Sequence, residues 1–172
     1  MDTITLEFKP VKIKIPTENL TPQALEQMVF DIRQELGKTV LVNALRQYDK
    51  ILRESRPKGI LKNIRTKTKY LQTWVGNIQY RRTLYKEKAT GKPKYLLDEA
   101  LGLDKNQRMS LRMTEIMGLL ASAEPYRKTQ EQLAKLLGIS WRGEAIRQNV
   151  IREGRRIEAR EAKEHKKIKE PD

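Results

Sequence analysis

The 172-residue chain has no cysteine. Disulfides and thiolate-held metal sites are therefore excluded. Its single histidine, His165, lies in a charged tail, which excludes a histidine-rich zinc centre. No apolar run approaches the ~18 residues of a membrane span. The opening MDTITLEF is too short and too acidic for a signal peptide. These absences predict an intracellular, soluble protein with no membrane partner; no metal and no cofactor are expected.

Charge is what the chain has in abundance. Only 38% of residues are hydrophobic while 34% are charged, against about 25% in an average globular domain, so the core should be small. The net charge is +14. Residues 1–55 hold eight basic and eight acidic side chains and are neutral; residues 56–172 hold 28 and 14, which accounts for the whole excess. That asymmetry points to a polyanionic partner, duplex DNA or RNA, with a merely solubilising surface as the alternative.

Residues 3–15 alternate apolar and polar in two pieces around Pro10, as an edge strand would. Thr21-Pro22 is a helix start, and Leu25, Val29, Ile32, Leu36, Val40, Ala44, Tyr48 and Ile51 continue as one apolar stripe over roughly 30 residues. Such a stripe serves either as a dimer seam or as the helix's packing face on its own domain. Residues 56–70 form an acid-free basic connector. Its Lys58, Lys62, Arg65 and Lys67 are expected to touch phosphates. Alternation on either side of Gly76-Asn77 predicts a tight-turned β-hairpin. Trp74 and Tyr80 are read as its buried face, and Arg81 and Arg82 as further phosphate contacts. TGKP then turns the chain into a short third strand, KYLL.

Ser110 is placed to cap a helix carrying Met113, Ile116, Met117 and Leu120, ended by Glu124-Pro125. A helix-turn-helix is expected next. Its first helix, Thr129 to Leu137, packs through Leu133, Ala134, Leu136 and Leu137. The turn is Gly138-Ile139-Ser140. The second helix, Trp141 to Arg152, packs through Ala145, Ile146 and Val150. Arg142, Arg147, Gln148 and Arg152 then face outward, where Arg and Gln side chains can read guanine and adenine edges. Arg127, Lys128, Gln130 and Ser140, from the start of the first helix and the turn, complete the candidate DNA-binding set. An αα-hairpin with an incidental basic face is the structural alternative.

Asp98, Glu99 and Asp104 raise the question of a metal-dependent active site. Two-metal chemistry needs carboxylates converging from different elements. Asp98 and Glu99 are neighbours that diverge in either a strand or a helix. Asp98 is expected instead to cap a one-turn helix beginning at Glu99 and ending at Gly102.

The runs TWVGNIQYRRTLY, GKPKYLLDEALGLDKNQRMS and LLASAEPYRKTQEQLAKLLGIS resemble the N-terminal half of a bacterial insertion-sequence transposase family, the ISLre type, catalogued as an uncharacterised protein family. The likeness covers roughly residues 66–154 and is most specific over Leu96–Leu103. Pro125 replaces the family's usual serine, and SWRGEAIRQNV is longer than the family spacing. Family members continue into an RNase H-like domain with an Asp/Asp/Glu metal site, which would begin about where this chain ends. The resemblance therefore implies the DNA-binding portion of a DDE-type transposase, recognising transposon ends and not itself an enzyme.

The expected fold is α+β, mostly helical, with a small antiparallel sheet and a helix-turn-helix. Residues 1–55 form the arm with the long helix, 56–105 the connector and sheet, 106–154 the helical DNA-binding region, and 155–172 a charged, frayed helical tail. The expected partners are duplex DNA and either a second copy or full-length transposase, and DNA binding implies a cytoplasmic, nucleoid-associated location. The rival readings are a truncated transposase that regulates transposition, an RNA-binding protein, and a metal-dependent nuclease.

Overall fold

The computed structural model describes residues 4–6, 15, 18 and 20–169. The strand expected over 3–15 falls almost wholly outside them. The fold is α+β and divides into two compact units, Met1–Arg108 and Met109–Asp172.

In the first unit, helix α1 runs Pro22–Ser55. The Thr21 hydroxyl accepts from the Ala24 N–H at 3.1 Å and Pro22 occupies the first turn, as the sequence predicts. The helix stops where Pro57 pushes Arg56 into extended backbone. Three antiparallel strands follow in the order β1-β2-β3: β1 Leu61–Thr73, β2 Gly76–Glu87 and β3 Pro93–Lys94. Most of the expected connector is thus strand. Thr66, Thr68, Ile64 and Tyr70 favour extended backbone, and pairing with β2 supplies the hydrogen bonds that a solvated basic run cannot supply alone.

The hairpin loop is Trp74–Val75, not Gly76-Asn77. Gly76 pairs with Thr73 at φ +105°, and the Thr73 hydroxyl donates to the Gly76 carbonyl at 2.8 Å. The left-handed residue therefore closes the turn from inside β2. β3 is shorter than KYLL because Leu96 and Leu97 already belong to helix α2, Leu96–Ala100. Leu97 is fully buried with Leu45, Leu71, Ile78 and Tyr80; Leu41, Val42, Tyr48 and Leu52 pack around them. Burying Leu97 gains more than extending a two-residue edge strand would.

The second unit contains three helices: α3 Leu111–Ala123, α4 Tyr126–Leu137 and α5 Gly143–Lys169. Ser110 caps α3 through the Met113 N–H at 3.2 Å, as expected. Met109, Met113, Met117, Leu133, Ile139 and Ile146 form its core. α4 begins three residues earlier than expected, directly after Pro125. Its inward stripe is Tyr126, Thr129, Leu133 and Leu137. Ala134 and Leu136 lie off either side of that stripe, and Leu136 is 60% exposed, contrary to the packing expected for it. Ala145 is likewise exposed, while Ile146 and Val150 do face inward.

Candidate nucleic-acid interface

The α4–α5 connection sets the geometry. Gly138 takes the left-handed conformation (φ +63°) and its N–H donates to the Ala134 carbonyl at 3.0 Å. A side chain with a Cβ is disfavoured at this angle. The chain then reverses so that Ile139 enters the core, 4% exposed. α5 starts at Gly143, two residues later than expected, because Trp141 is drawn into the same core. The Gly143 N–H donates to Gln130 Oε1 at 2.9 Å. Gln130, a candidate DNA contact, is therefore a strut that holds the start of α5 to α4.

The remaining candidates of this unit divide by their partners. Arg127 and Lys128 are exposed and pair loosely with Glu131 and Glu124 at 3.8 and 3.3 Å. Ser140 and Arg142 are exposed, and Arg142 has no ion pair among the described residues. Arg147 donates twice to Glu144, at 2.9 and 2.8 Å, and the Gln148 amide donates to the same carboxylate at 2.8 Å. These bonds hold the Glu144 carboxyl at about 2 and raise the Arg147 guanidinium. A depressed carboxylate contributes its tether above its ordinary value and loses it only as pH falls through about 2, so the cluster stays ionised throughout the physiological range. Arg152 is exposed, beside Asn149 and Glu153.

The sheet supplies a second cationic surface. Lys58, Lys62, Arg65, Lys67 and Arg81 are exposed and form no ion pair among the described residues. Register explains why Arg81 and Arg82 part company. Thr68 faces Arg81, and Tyr70 faces Gln79, on the outer side. Lys69 opposite Tyr80, and Leu71 opposite Ile78, belong to the inner side with Arg82. Arg82 is accordingly 7% exposed, ion-paired to Asp98 and stacked over Tyr95 at 3.8 Å. Burial pulls its guanidinium below its ordinary value, and it is withdrawn from any phosphate. Trp74, expected to be buried, stands 50% exposed at the hairpin tip, because the two-residue loop projects its side chain away from the core. Tyr80 is buried as expected, and burial pushes its hydroxyl up to about 12.

Asp98 does not cap a helix. α2 starts at Leu96 with Tyr95 in the cap position, and Asp98, 3% exposed, lies inside the turn. It accepts from Lys69 Nζ at 3.1 Å and pairs with Arg82. Lys69 also donates to the Asp104 carbonyl at 3.2 Å, which ties down the loop after α2. The sequence signal for this cluster was strand parity: Lys69 sits in phase with Leu71, and Arg82 with Tyr80. Among the described residues no three or more acidic or histidine side chains gather where they could hold a metal, and no helix is long and apolar enough to cross a membrane.

Two units, one built on a basic hairpin and one on three helices with exposed cations on α4 and α5, define the class: a small α+β protein with a strong excess of positive charge. Residues 16–171 match the model of UPF0236, an uncharacterised protein family, and the chain belongs to it. A UPF0236 protein of Caldanaerobacter subterraneus subsp. tengcongensis is 28% identical over 150 residues, which is 82% of this chain and 30% of that protein. Another from the same organism is 28% identical over 107 residues, 60% of this chain and 22% of its own length. The chain thus spans under a third of the curated relatives it matches.

Proposed function

We propose that the chain is a DNA-binding module of a transposase-like protein, holding transposon-end duplex without cutting it. The observation that carries this reading is the α4–α5 arrangement. A left-handed Gly138 turn, the Ile139 plug and the Gln130 strut fix the start of a helix that carries Arg147, Gln148 and Arg152, with Arg142 exposed in the turn just before it. In the proposal α4–α5 is a helix-turn-helix whose second helix lies in the major groove, and Lys58, Lys62, Arg65, Lys67 and Arg81 touch the backbone. The sequence resemblance supports the transposon context. Asp98 is already committed to Lys69 and Arg82, which supports binding over cleavage. Supercoiled plasmid incubated with magnesium or manganese should remain unnicked.

A binding-site selection separates reading from positioning. Arg147→Ala should cost about 1–3 kcal/mol on the cognate site and relax preference at one base, while Lys62→Ala should weaken all sequences alike. If Arg147→Ala selects the same site with the same stringency, α5 is not the reader.

Glu144 adds a further expectation. It holds Arg147 and Gln148, the proposed reading side chains, and so places a negative charge on the face that the proposal turns to DNA. Glu144→Gln should therefore raise DNA affinity severalfold in a fluorescence-anisotropy titration. A loss of affinity would mean that the tether presents Arg147 to the base.

A further inference from the structure

Helix α1 carries two apolar faces, and among the described residues only one is covered. Leu41, Leu45, Tyr48 and Leu52 cover the sheet. On the far side, about 140° round the helix axis at 100° per residue, Leu25, Val29, Leu36, Val40 and Ile51 are 37, 59, 46, 36 and 37% exposed. These five fall within an arc of about 80° and form a stripe roughly 40 Å long.

The stripe is a near-palindrome about the middle of the helix. Counting outward from Lys38, Leu36 mirrors Val40, Ile32 mirrors Ala44 and Leu25 mirrors Ile51; Val29 against Gln47 is the one mixed pair. Lys38 itself points elsewhere. Its ammonium is 2.6 Å from Glu35 and its stem lies against Gly76. A patch whose residue i matches j, and j matches i, is what a two-fold contact between identical chains requires.

We infer that this face docks a second copy of the chain, with the two α1 helices antiparallel and Leu25 level with Ile51 of the other copy. Electrostatics favours that occupant and that direction. Residues 1–55 carry no net charge in a chain of +14, so this is the region where two copies approach at least cost. The cationic sheet packs on the C-terminal half of α1. Antiparallel pairing sends the two sheets to opposite ends, whereas parallel pairing would set them side by side. The inference stands independently of DNA binding.

The test uses the free protein, without DNA. In sedimentation velocity the full chain should dimerise with concentration up to about 100 µM. Higher salt should preserve or strengthen the dimer by screening repulsion between the copies. Leu36→Glu, at an exposed position that circular dichroism should show still folded, should weaken it more than tenfold. Because the chain lacks cysteine, direction is read by disulfide trapping. A mixture of Leu25→Cys chains and size-tagged Ile51→Cys chains should oxidise to the mixed dimer. Leu25→Cys alone should not cross-link, since its two copies would lie about 39 Å apart along the axis. A monomer at every concentration, an unaffected Leu36→Glu dimer, or efficient Leu25–Leu25 trapping would each overturn the inference.

Discussion

Asp98→Ala should destabilise the first unit by about 3–5 kcal/mol, the loss typical when one partner of a buried ionic group is removed. Lys69 and Arg82 are 5% and 7% exposed and would be left facing each other with no anion between them. The cluster is already incompletely satisfied: Asp98 Oδ1 and Arg82 Nε have no hydrogen-bond partner among the described residues. Asp98→Asn, which a capping role would limit to about 0.5–2 kcal/mol, should therefore also exceed that range. Urea unfolding followed by Trp74 fluorescence in a Trp141→Phe background isolates the first unit. Combining Asp98→Leu with Lys69→Met and Arg82→Met should recover most of the loss, since a buried ionic cluster replaced as a whole by apolar groups is often neutral. A loss below about 1 kcal/mol for Asp98→Ala would place the cluster with exposed surface pairs instead.

DNA affinity should fall about 10³-fold between 50 and 200 mM salt if six of the exposed cations that form no ion pair among the described residues (Lys58, Lys62, Arg65, Lys67, Arg81 and Arg142) each neutralise one phosphate. Six contacts at about −0.9 each set a log–log slope near −5, and a fourfold change in salt raised to that power is about a thousand. Arg82 is excluded from the count because it is buried. Arg81→Ala should therefore reduce the slope by about one, and Arg82→Met should leave it unchanged. A flat salt response would mean that the +14 serves solubility alone.

Local signals carried well wherever the relevant force was itself local. The Thr21 and Ser110 caps, the length of α1, the end of α3 before Pro125 and the αL turn at Gly138 all follow from backbone chemistry within a few residues. The alternation around residues 70–85 was enough for a hairpin, and helical spacing was enough for the Met113–Leu120 face. The neutral and cationic halves, and the resemblance over residues 66–154, were legible without coordinates.

Tertiary structure decided what depends on partners distant in sequence. Lys69, Arg82 and Asp98 read as two surface cations and a cap, yet strand register and the burial of Leu97 bring them together inside the first unit, where removing water makes each one depend on the others. Whether Arg81 or Arg82 faced solvent was a matter of parity, set by which face of the sheet α1 and α2 cover. Gln130 became a strut because α5 begins beside it, and Trp74 became exposed because the loop took residues 74 and 75 rather than 76 and 77. The stripe on α1 was visible in the sequence. Only packing revealed that the sheet uses the opposite face, since a helix shows its apolar positions to a reader but not which of them another element will cover.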